Sequence, residues 1–186
     1  GMEREHAYES RVYAADLPDA GELGALAGTR AAARAGARRP PTGAVPVLYD
    51  ERVAGSLIGH LLAAINGTAI MRGASWARGL LGEPVLPGAL SLLSTPLRAR
   101  MGGARPFDAE GLPTAERALV EGGVLQGWVL DLATARKLGL ESTADARRSP
   151  GAPPSPGAGS VALSQGTASR ADLIADMGTG LLVTQL

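Results

Sequence analysis

Residues 105–143, RPFDAEGLPTAERALVEGGVLQGWVLDLATARKLGLEST, contain the strongest structural signal in this chain. The pair Gly122-Gly123 separates two segments, residues 114–121 and 124–130, that have the composition of strands. A two-residue hairpin turn needs positive φ at its central positions, and glycine adopts that conformation without a steric penalty. This stretch therefore predicts an antiparallel β-hairpin, with Trp128 packed inward.

The hairpin is predicted to lead into a short helix over residues 132–138, which ends at Gly139. Further helices are predicted over residues 19–39, 51–66 and 169–178. Pro40-Pro41 is expected to stop the first and Gly67 the second, whereas a capping box of Ser169 and Asp172 begins the third. Further strands are predicted over residues 45–49, 85–93, 160–164 and 181–185, and residues 3–13 are expected to form a strand or a frayed helix.

Strands and helices mix here without a regular βαβ repeat. We therefore expect an α+β fold, with a mixed or antiparallel sheet and several short helices packed on it. Residues 1–186 are expected to form a single partial domain. Residues 149–159, SPGAPPSPGAG, are predicted to be an exposed, mobile loop, because proline and glycine at this density oppose regular structure.

Composition limits the classes of function. Eighteen basic residues balance eighteen acidic residues, so no general positive field attracts nucleic acid. No apolar run approaches the roughly 20 residues that a membrane helix needs. The chain has no cysteine, which excludes disulfides and thiolate ligands. We expect a cytoplasmic protein that binds neither nucleic acid nor membrane.

His60 lies in the predicted helix 51–66, within the sequence GSLIGHLLAAING of residues 55–67. A helical zinc motif places a second histidine one turn later, but Ala63 and Ala64 occupy those positions. A single imidazole does not hold Zn²⁺, so no metal ligand is assigned. His60 falls at the rim of an apolar arc, which favours a partly buried structural histidine over a residue that lines a cleft.

Asp108 and Glu110 stand two residues apart, with Arg105 nearby. Two carboxylates on one side of a strand or turn are typical of acid/base catalysis or of a Mg²⁺ site. The alternative is a structural turn in which Arg105 pairs with one carboxylate, and we favour it because no third ligand is evident. Trp128 is expected to be a core anchor, with a place in a cleft wall as the alternative.

An arginine stripe, defined here as Arg30, Arg34, Arg38 and Arg39, follows the acidic residues Asp16, Asp19 and Glu22. Such a stripe could contact phosphate. No aromatic residue is interleaved with it for base stacking, and the preceding acidic residues oppose an anion. We therefore expect a solvated helix face.

Residues 2–157 and 169–186 resemble the TldD/PmbA ("modulator of DNA gyrase") peptidase family. The resemblance includes residues 105–143, residues 46–67 (PVLYDERVAGSLIGHLLAAING) and residues 171–186 (ADLIADMGTGLLVTQL). Catalytic TldD-type subunits carry HExxxH on the helix that matches residues 51–66. Gly59 and His60 stand near the position of the His-Glu pair, so the resemblance is to the metal-free PmbA (TldE) subunit, as an internal to C-terminal fragment. The family's third metal ligand, a downstream cysteine, would lie beyond Leu186.

The resemblance implies a non-catalytic subunit that lines the peptide cleft of a TldD/TldE-type zinc metalloprotease acting on unfolded peptides. His60, Asp108, Glu110 and Trp128 are its candidate cleft-lining residues. It also implies no cofactor in this chain, with zinc held by a TldD-like catalytic partner. An extended peptide could bind by strand addition, at an edge that the sequence does not specify.

Two other functions remain open from the sequence. One is an autonomous hydrolase that uses Asp108, Glu110 and His60, and the other is a protein-binding module that acts on gyrase or an antitoxin. Residues 181–186 are predicted to form an apolar edge strand, which favours self-association as a homodimer.

Overall fold

The computed structural model describes residues 2–40 and 42–186, which divide into two units. The first unit comprises the described residues up to Ala44 together with Arg100–Gly102, and the second comprises Val45–Ala99 and Gly103–Leu186. The N-terminal residues make their contacts largely among themselves, and the single partial domain over residues 1–186 stays a prediction. The second unit confirms the α+β class, with helices and mainly antiparallel sheets.

The first unit is built on helix α1, Ala20–Ala33, which begins at the N-cap residue Asp19. The Asp19 side chain accepts hydrogen bonds from the backbone N–H groups of Gly21 and Glu22. The helix ends well before the predicted Pro40-Pro41 stop, because the chain turns at Gly36, where φ is +72°. The prediction for residues 3–13 was also wrong: the described chain is irregular there and is followed by a 3₁₀ turn at Ala14–Asp16.

Two arginines of the stripe fasten this irregular segment to α1. Arg30 donates to the carbonyl oxygen of His6, and Arg34 donates to that of Arg4 and pairs with Glu5 at 2.9 Å. The expected solvated face is therefore wrong for Arg30 and Arg34, which are half-buried against their own unit. Arg38 and Arg39 are exposed and lie beyond the end of α1.

The second unit contains a four-stranded antiparallel sheet, ordered β4-β3-β2-β7. Its strands are β2 (Leu92–Ser94), β3 (Arg117–Glu121), β4 (Val124–Leu125) and β7 (Val161–Leu163). The hairpin is confirmed, with φ values of +53° at Gly122 and +82° at Gly123. A Cβ atom at Gly123 would overlap the carbonyl oxygen of Leu86. Both the positive φ and this close approach to Leu86 therefore require glycine at position 123.

β4 is shorter than the predicted strand 124–130. Gln126 still donates to the Leu119 carbonyl oxygen at 2.9 Å, but beyond it the chain leaves the hairpin ladder, and Val129 instead bridges to Asn66 in a parallel sense. Similarly, the predicted strand 85–93 is reduced to β2, because residues 82–86 run along the outer side of β4. Pairing with residues distant in sequence therefore determines where β4 ends and where β2 begins.

Two smaller sheets complete the second unit. β1 (Val47–Tyr49) pairs in parallel with β8 (Leu181–Val183), and β5 (Ala146–Arg147) pairs antiparallel with β6 (Ser155–Pro156). The prediction of an exposed loop over residues 149–159 is corrected by β6, because Pro156 is buried and Gly157 donates to the Asp145 carbonyl oxygen at 2.7 Å.

Four helices accompany these sheets in the described part of the second unit: α2 (Glu51–Ala64), α3 (Gly67–Arg72), α4 (Leu132–Leu138) and α5 (Arg170–Met177). The predictions for α4 and for the α5 capping box are confirmed. The prediction that Gly67 ends the preceding helix was wrong. Asn66 caps α3, and a Cβ atom at Gly67 would lie 2.9 Å from the Val129 carbonyl oxygen, so Gly67 provides a close contact at a helix start.

The core of the second unit consists of small and aliphatic side chains. They come from α2 and the residue after it, from α3, from the 3₁₀ helix Trp76–Gly79, from the four-stranded sheet and from the chain after β4: Leu61, Ala64, Ile65, Ile70, Ala77, Leu92, Leu119, Val120, Leu125 and Val129. Trp128 is half-buried and packs against this core. Among the described residues, no helix is long and apolar enough to cross a membrane.

Candidate functional site

His60 lies in the last turn of α2 and is exposed. The core-facing residues of this helix are Leu61 and Ala64, followed by Ile65, and the helical period places His60 outside that arc. The prediction of a partly buried structural histidine was therefore wrong. Ala63 is exposed and Ala64 is buried, so α2 presents one imidazole and no second donor one turn later.

Asp108 is a buried carboxylate whose partners are backbone N–H groups. Its Oδ1 accepts from Glu110 at 2.9 Å and from Leu112 at 3.0 Å, and its Oδ2 accepts from Ala146 at 3.0 Å. These bonds close a turn at Gly111, where φ is +82°, and join that turn to β5. Asp108 therefore has the structural role that the turn interpretation predicts.

Arg105 does not form the ion pair with a neighbouring carboxylate that was expected. Its guanidinium donates to the carbonyl oxygens of Ala146 at 2.9 Å and Gly157 at 3.2 Å, which links β5 to the residue after β6. Burial and the positive charge of Arg147 lower the pKa of Arg105, against the opposing effect of Asp145 and Asp108. Arg105 is thus a structural clamp on the β5–β6 pair.

Glu110 stabilises the start of α4. Its Oε2 accepts from the backbone N–H of Leu132 at 2.8 Å, the first residue of the helix. Asp131 and Thr134 form the capping box of the same helix. Together these groups satisfy N–H donors that the helix itself leaves unpaired.

Trp128 is held through its backbone. Its carbonyl oxygen accepts from Arg117 at 3.1 Å, and Arg117 also pairs with the buried carboxylate of Asp145 at 2.5 Å. Thr143 donates to the same Asp145 oxygen at 2.7 Å. The Trp128 indole nitrogen is buried and has no hydrogen-bond partner in the described structure. This arrangement fits the core anchor that the sequence predicts.

Sequence reasoning did not identify the Arg117–Asp145 pair. No local pattern announces it, because the two residues lie on separate elements joined by the packing of β3 against the chain before β5. A second buried carboxylate, Asp50, caps α2 and binds Arg52 at 2.8 Å and Arg170 at 3.2 Å. Burial alone would raise the pKa of Asp50, but hydrogen bonding to Arg52 and the charges of both arginines lower it overall.

The structure thus brings Asp108 and Glu110 into one loop beside α4 and β5 and uses both as hydrogen-bond acceptors for backbone. In the described part of the chain, no hydrogen bond joins either residue to His60 or Trp128. No group of three or more His, Cys, Asp or Glu side chains that could hold a metal ion occurs in residues 2–40 and 42–186. Apart from the exposed His60, the predicted candidates therefore form framework contacts.

Residues 42–186 match the family model described as the PmbA/TldA metallopeptidase C-terminal domain. The chain is 33% identical to the metalloprotease PmbA of Escherichia coli O157:H7 over 185 residues, which cover 100% of this chain and 39% of that protein. In Haemophilus influenzae, the PmbA homologue is 35% identical over 142 residues, covering 76% of this chain and 30% of that protein. The TldD homologue of the same organism is 28% identical over 112 residues, covering 58% of this chain and 23% of that protein.

Solved structures give the same result. A Thermotoga maritima protein described as a modulator of a DNA gyrase superposes with a TM-score of 0.86 at 30% identity, over 96% of this chain and 40% of that chain. TldE from Thermococcus kodakarensis superposes with a TM-score of 0.72 at 26% identity, over 87% of this chain and 38% of that chain. The chain therefore belongs to the PmbA/TldD metallopeptidase family, and it spans about two fifths of these relatives.

Proposed function

We propose that this chain is part of a non-catalytic, PmbA/TldE-like subunit that forms one wall of the peptide cleft in a two-subunit peptidase. The observation that carries the proposal is the composition of α2. In the place of a helical metal motif it offers the single imidazole of His60, followed by Ala63 and Ala64. A helix with one donor does not assemble the ligand set of a catalytic zinc.

The other acidic candidates support the same proposal. General base catalysis needs a carboxylate that can take up a proton from substrate or water. Both oxygens of Asp108 already accept backbone hydrogen bonds, and Glu110 accepts one at the start of α4. Using either residue for chemistry would sacrifice the turn or the helix start that it holds. This argument opposes an autonomous hydrolase based on Asp108, Glu110 and His60.

Zinc is the metal that the family resemblance implies, and the donor set of this chain does not fit it. The partner in the proposal is a TldD-like subunit that would hold zinc, and a bound zinc ion would supply Lewis-acid chemistry at the scissile carbonyl and lower the pKa of a bound water. This chain would contribute binding surface and orientation for an unfolded peptide. The stronger similarity to the PmbA homologue than to the TldD homologue of H. influenzae supports the assignment to the non-catalytic side.

The test is reconstitution with the TldD-like protein of the same host. Size-exclusion chromatography of the equimolar mixture is expected to show a complex, and cleavage of an unfolded peptide is expected only when both chains are present. Light scattering of this chain alone tests the accompanying proposal of a homodimer. Absence of a complex at micromolar concentrations of both proteins would contradict the proposed partnership, and cleavage by this chain alone would contradict its non-catalytic role.

A further inference from the structure

The four-stranded sheet ends in β7, and the outer side of that strand is unpaired within the described residues. The opposite end of the sheet is closed. Val85 donates to Gly123, Gly82 donates to Leu125, and Leu125 donates to Glu83 at 2.8, 2.9 and 3.0 Å. The outer side of β5 is likewise occupied, because Ala109 donates to the Ala146 carbonyl oxygen. β7 is therefore the open end of the larger sheet.

The register identifies the peptide groups that this edge presents. Thr95 donates to Ser160 and Ser164 donates to Ser91, each at 2.8 Å, at the two ends of the β2–β7 ladder. Opposed residues in an antiparallel ladder alternate between hydrogen-bonded and non-hydrogen-bonded pairs. Leu93–Ala162 is then a bonded pair, so the N–H and C=O groups of Val161 and Leu163 point away from β2. Within residues 2–40 and 42–186, no hydrogen bond reaches these groups.

The side chains along this edge favour an added strand with apolar side chains. Leu163 is opposite Leu92, which is fully buried, so both lie on the core face of the sheet. Leu163 is nevertheless 37% exposed, because no strand follows β7 in the sheet order of the described chain. A residue placed opposite Leu163 in an added strand would continue the core face and cover this surface. Its neighbour opposite Ala162 would lie on the other face.

We propose that the β7 edge binds an extended peptide by strand addition, through the backbone groups of Val161 and Leu163, with a preference for apolar residues at alternate peptide positions. The proposal rests on the proposed function, because it names the element of this subunit that contacts peptide. Hydrogen bonds to the peptide backbone tolerate varied peptide sequences. The exposed Leu163 favours apolar side chains only on the peptide face that it shares, which is every second position. Within the described residues, the β1–β8 pair also has no further strand on either edge, but with two strands it is a less rigid platform than the four-stranded sheet.

The test uses the full chain without a partner and a capped, unstructured peptide with apolar residues at alternate positions. Binding is followed by fluorescence anisotropy for the parent peptide and for two N-methylated series, one for each alternate set of amides. One series is expected to weaken binding by at least about fivefold for each hydrogen bond removed, and the other to leave it unchanged. Equal sensitivity to both series, or no binding at millimolar peptide, would overturn the proposal.

Matched variants locate the edge. Leu163→Lys is expected to weaken binding of the same peptide about tenfold or more, whereas Leu181→Lys on β8 is expected to leave it unchanged, although the two leucines are 37% and 36% exposed. The opposite result would assign the peptide to β8 and overturn the proposal. Because the N-methylated peptides need no protein variant, the test survives poor folding of Leu163→Lys. It also needs no TldD-like subunit, so its failure is distinguishable from failure to form the complex.

Discussion

Replacing Asp108 by asparagine separates a framework role from a catalytic one. The new side chain keeps one carbonyl oxygen, which can still accept from Glu110 and Leu112, but it sets an amide N–H against the backbone N–H of Ala146. The change removes a hydrogen bond to a charged acceptor and leaves a buried donor unpaired, which together cost about 3 kcal/mol. For a chain of this size, that cost lowers Tm by roughly 6 to 12 °C.

The assay is urea and thermal unfolding of Asp108→Asn beside wild type, with Asp176→Asn as the control at an exposed carboxylate on α5. The control is expected to change stability by no more than about 0.5 kcal/mol, as surface substitutions usually do. The complex with its partner is expected to retain cleavage at temperatures where Asp108→Asn remains folded. A variant as stable as wild type that abolishes cleavage would refute the structural role and restore Asp108 as a catalytic candidate.

Three further predictions address the turn, the start of α2 and the proline-rich segment. Gly123→Val should destabilise the chain by about 2 kcal/mol or more, because a β-branched residue resists positive φ and its Cβ would overlap the Leu86 carbonyl oxygen. The control Gly59→Ala, in open space on α2, should stabilise the chain by about 0.5–1 kcal/mol. Equal effects of the two variants in denaturant unfolding would contradict the hairpin geometry. Because the folded-state pKa of Asp50 is lowered, the stability that its carboxylate contributes is present at neutral pH and is lost as pH falls through that lowered pKa. Asp50→Asn, which can still cap α2, should therefore weaken the decrease in unfolding free energy at acidic pH. An unchanged decrease would argue against the Arg52 and Arg170 contacts. Limited proteolysis should cut first within residues 149–154, with both fragments remaining associated, and a first cut at Ser155–Pro156 would contradict the β5–β6 pairing.

The elements that the sequence predicts well are those specified by neighbouring residues. The Gly122-Gly123 turn, the stop of α4 at Gly139 and the α5 capping box each depend on a few consecutive positions. Their geometry follows from positive φ or from a side chain that reaches an N–H three residues away. For this reason they could be derived without knowledge of the tertiary fold.

The errors concern features that distant residues determine. Gly67 resembles a helix stop, but its role is to allow contact with Val129 at the start of α3. Pro156 resembles loop sequence, yet β6 pairs with β5, and distant side chains hold this segment: Asn66 donates to the Pro156 carbonyl oxygen and Arg105 donates to that of Gly157. The structural turn at Asp108 was predicted, but its distant partner was not, since only the fold shows that the backbone N–H of Ala146 donates to one Asp108 oxygen.

The most direct test of the central claim is the zinc content and peptide cleavage of this chain alone and in equimolar complex with the TldD-like protein of its host. The account predicts no stoichiometric zinc and no cleavage for the isolated chain, because His60 has no second donor at helical spacing. It predicts one zinc per partner subunit and cleavage in the complex. One zinc per isolated chain with His60 as a ligand, or cleavage by the isolated chain, would contradict the claim that this subunit lines the cleft without performing the chemistry.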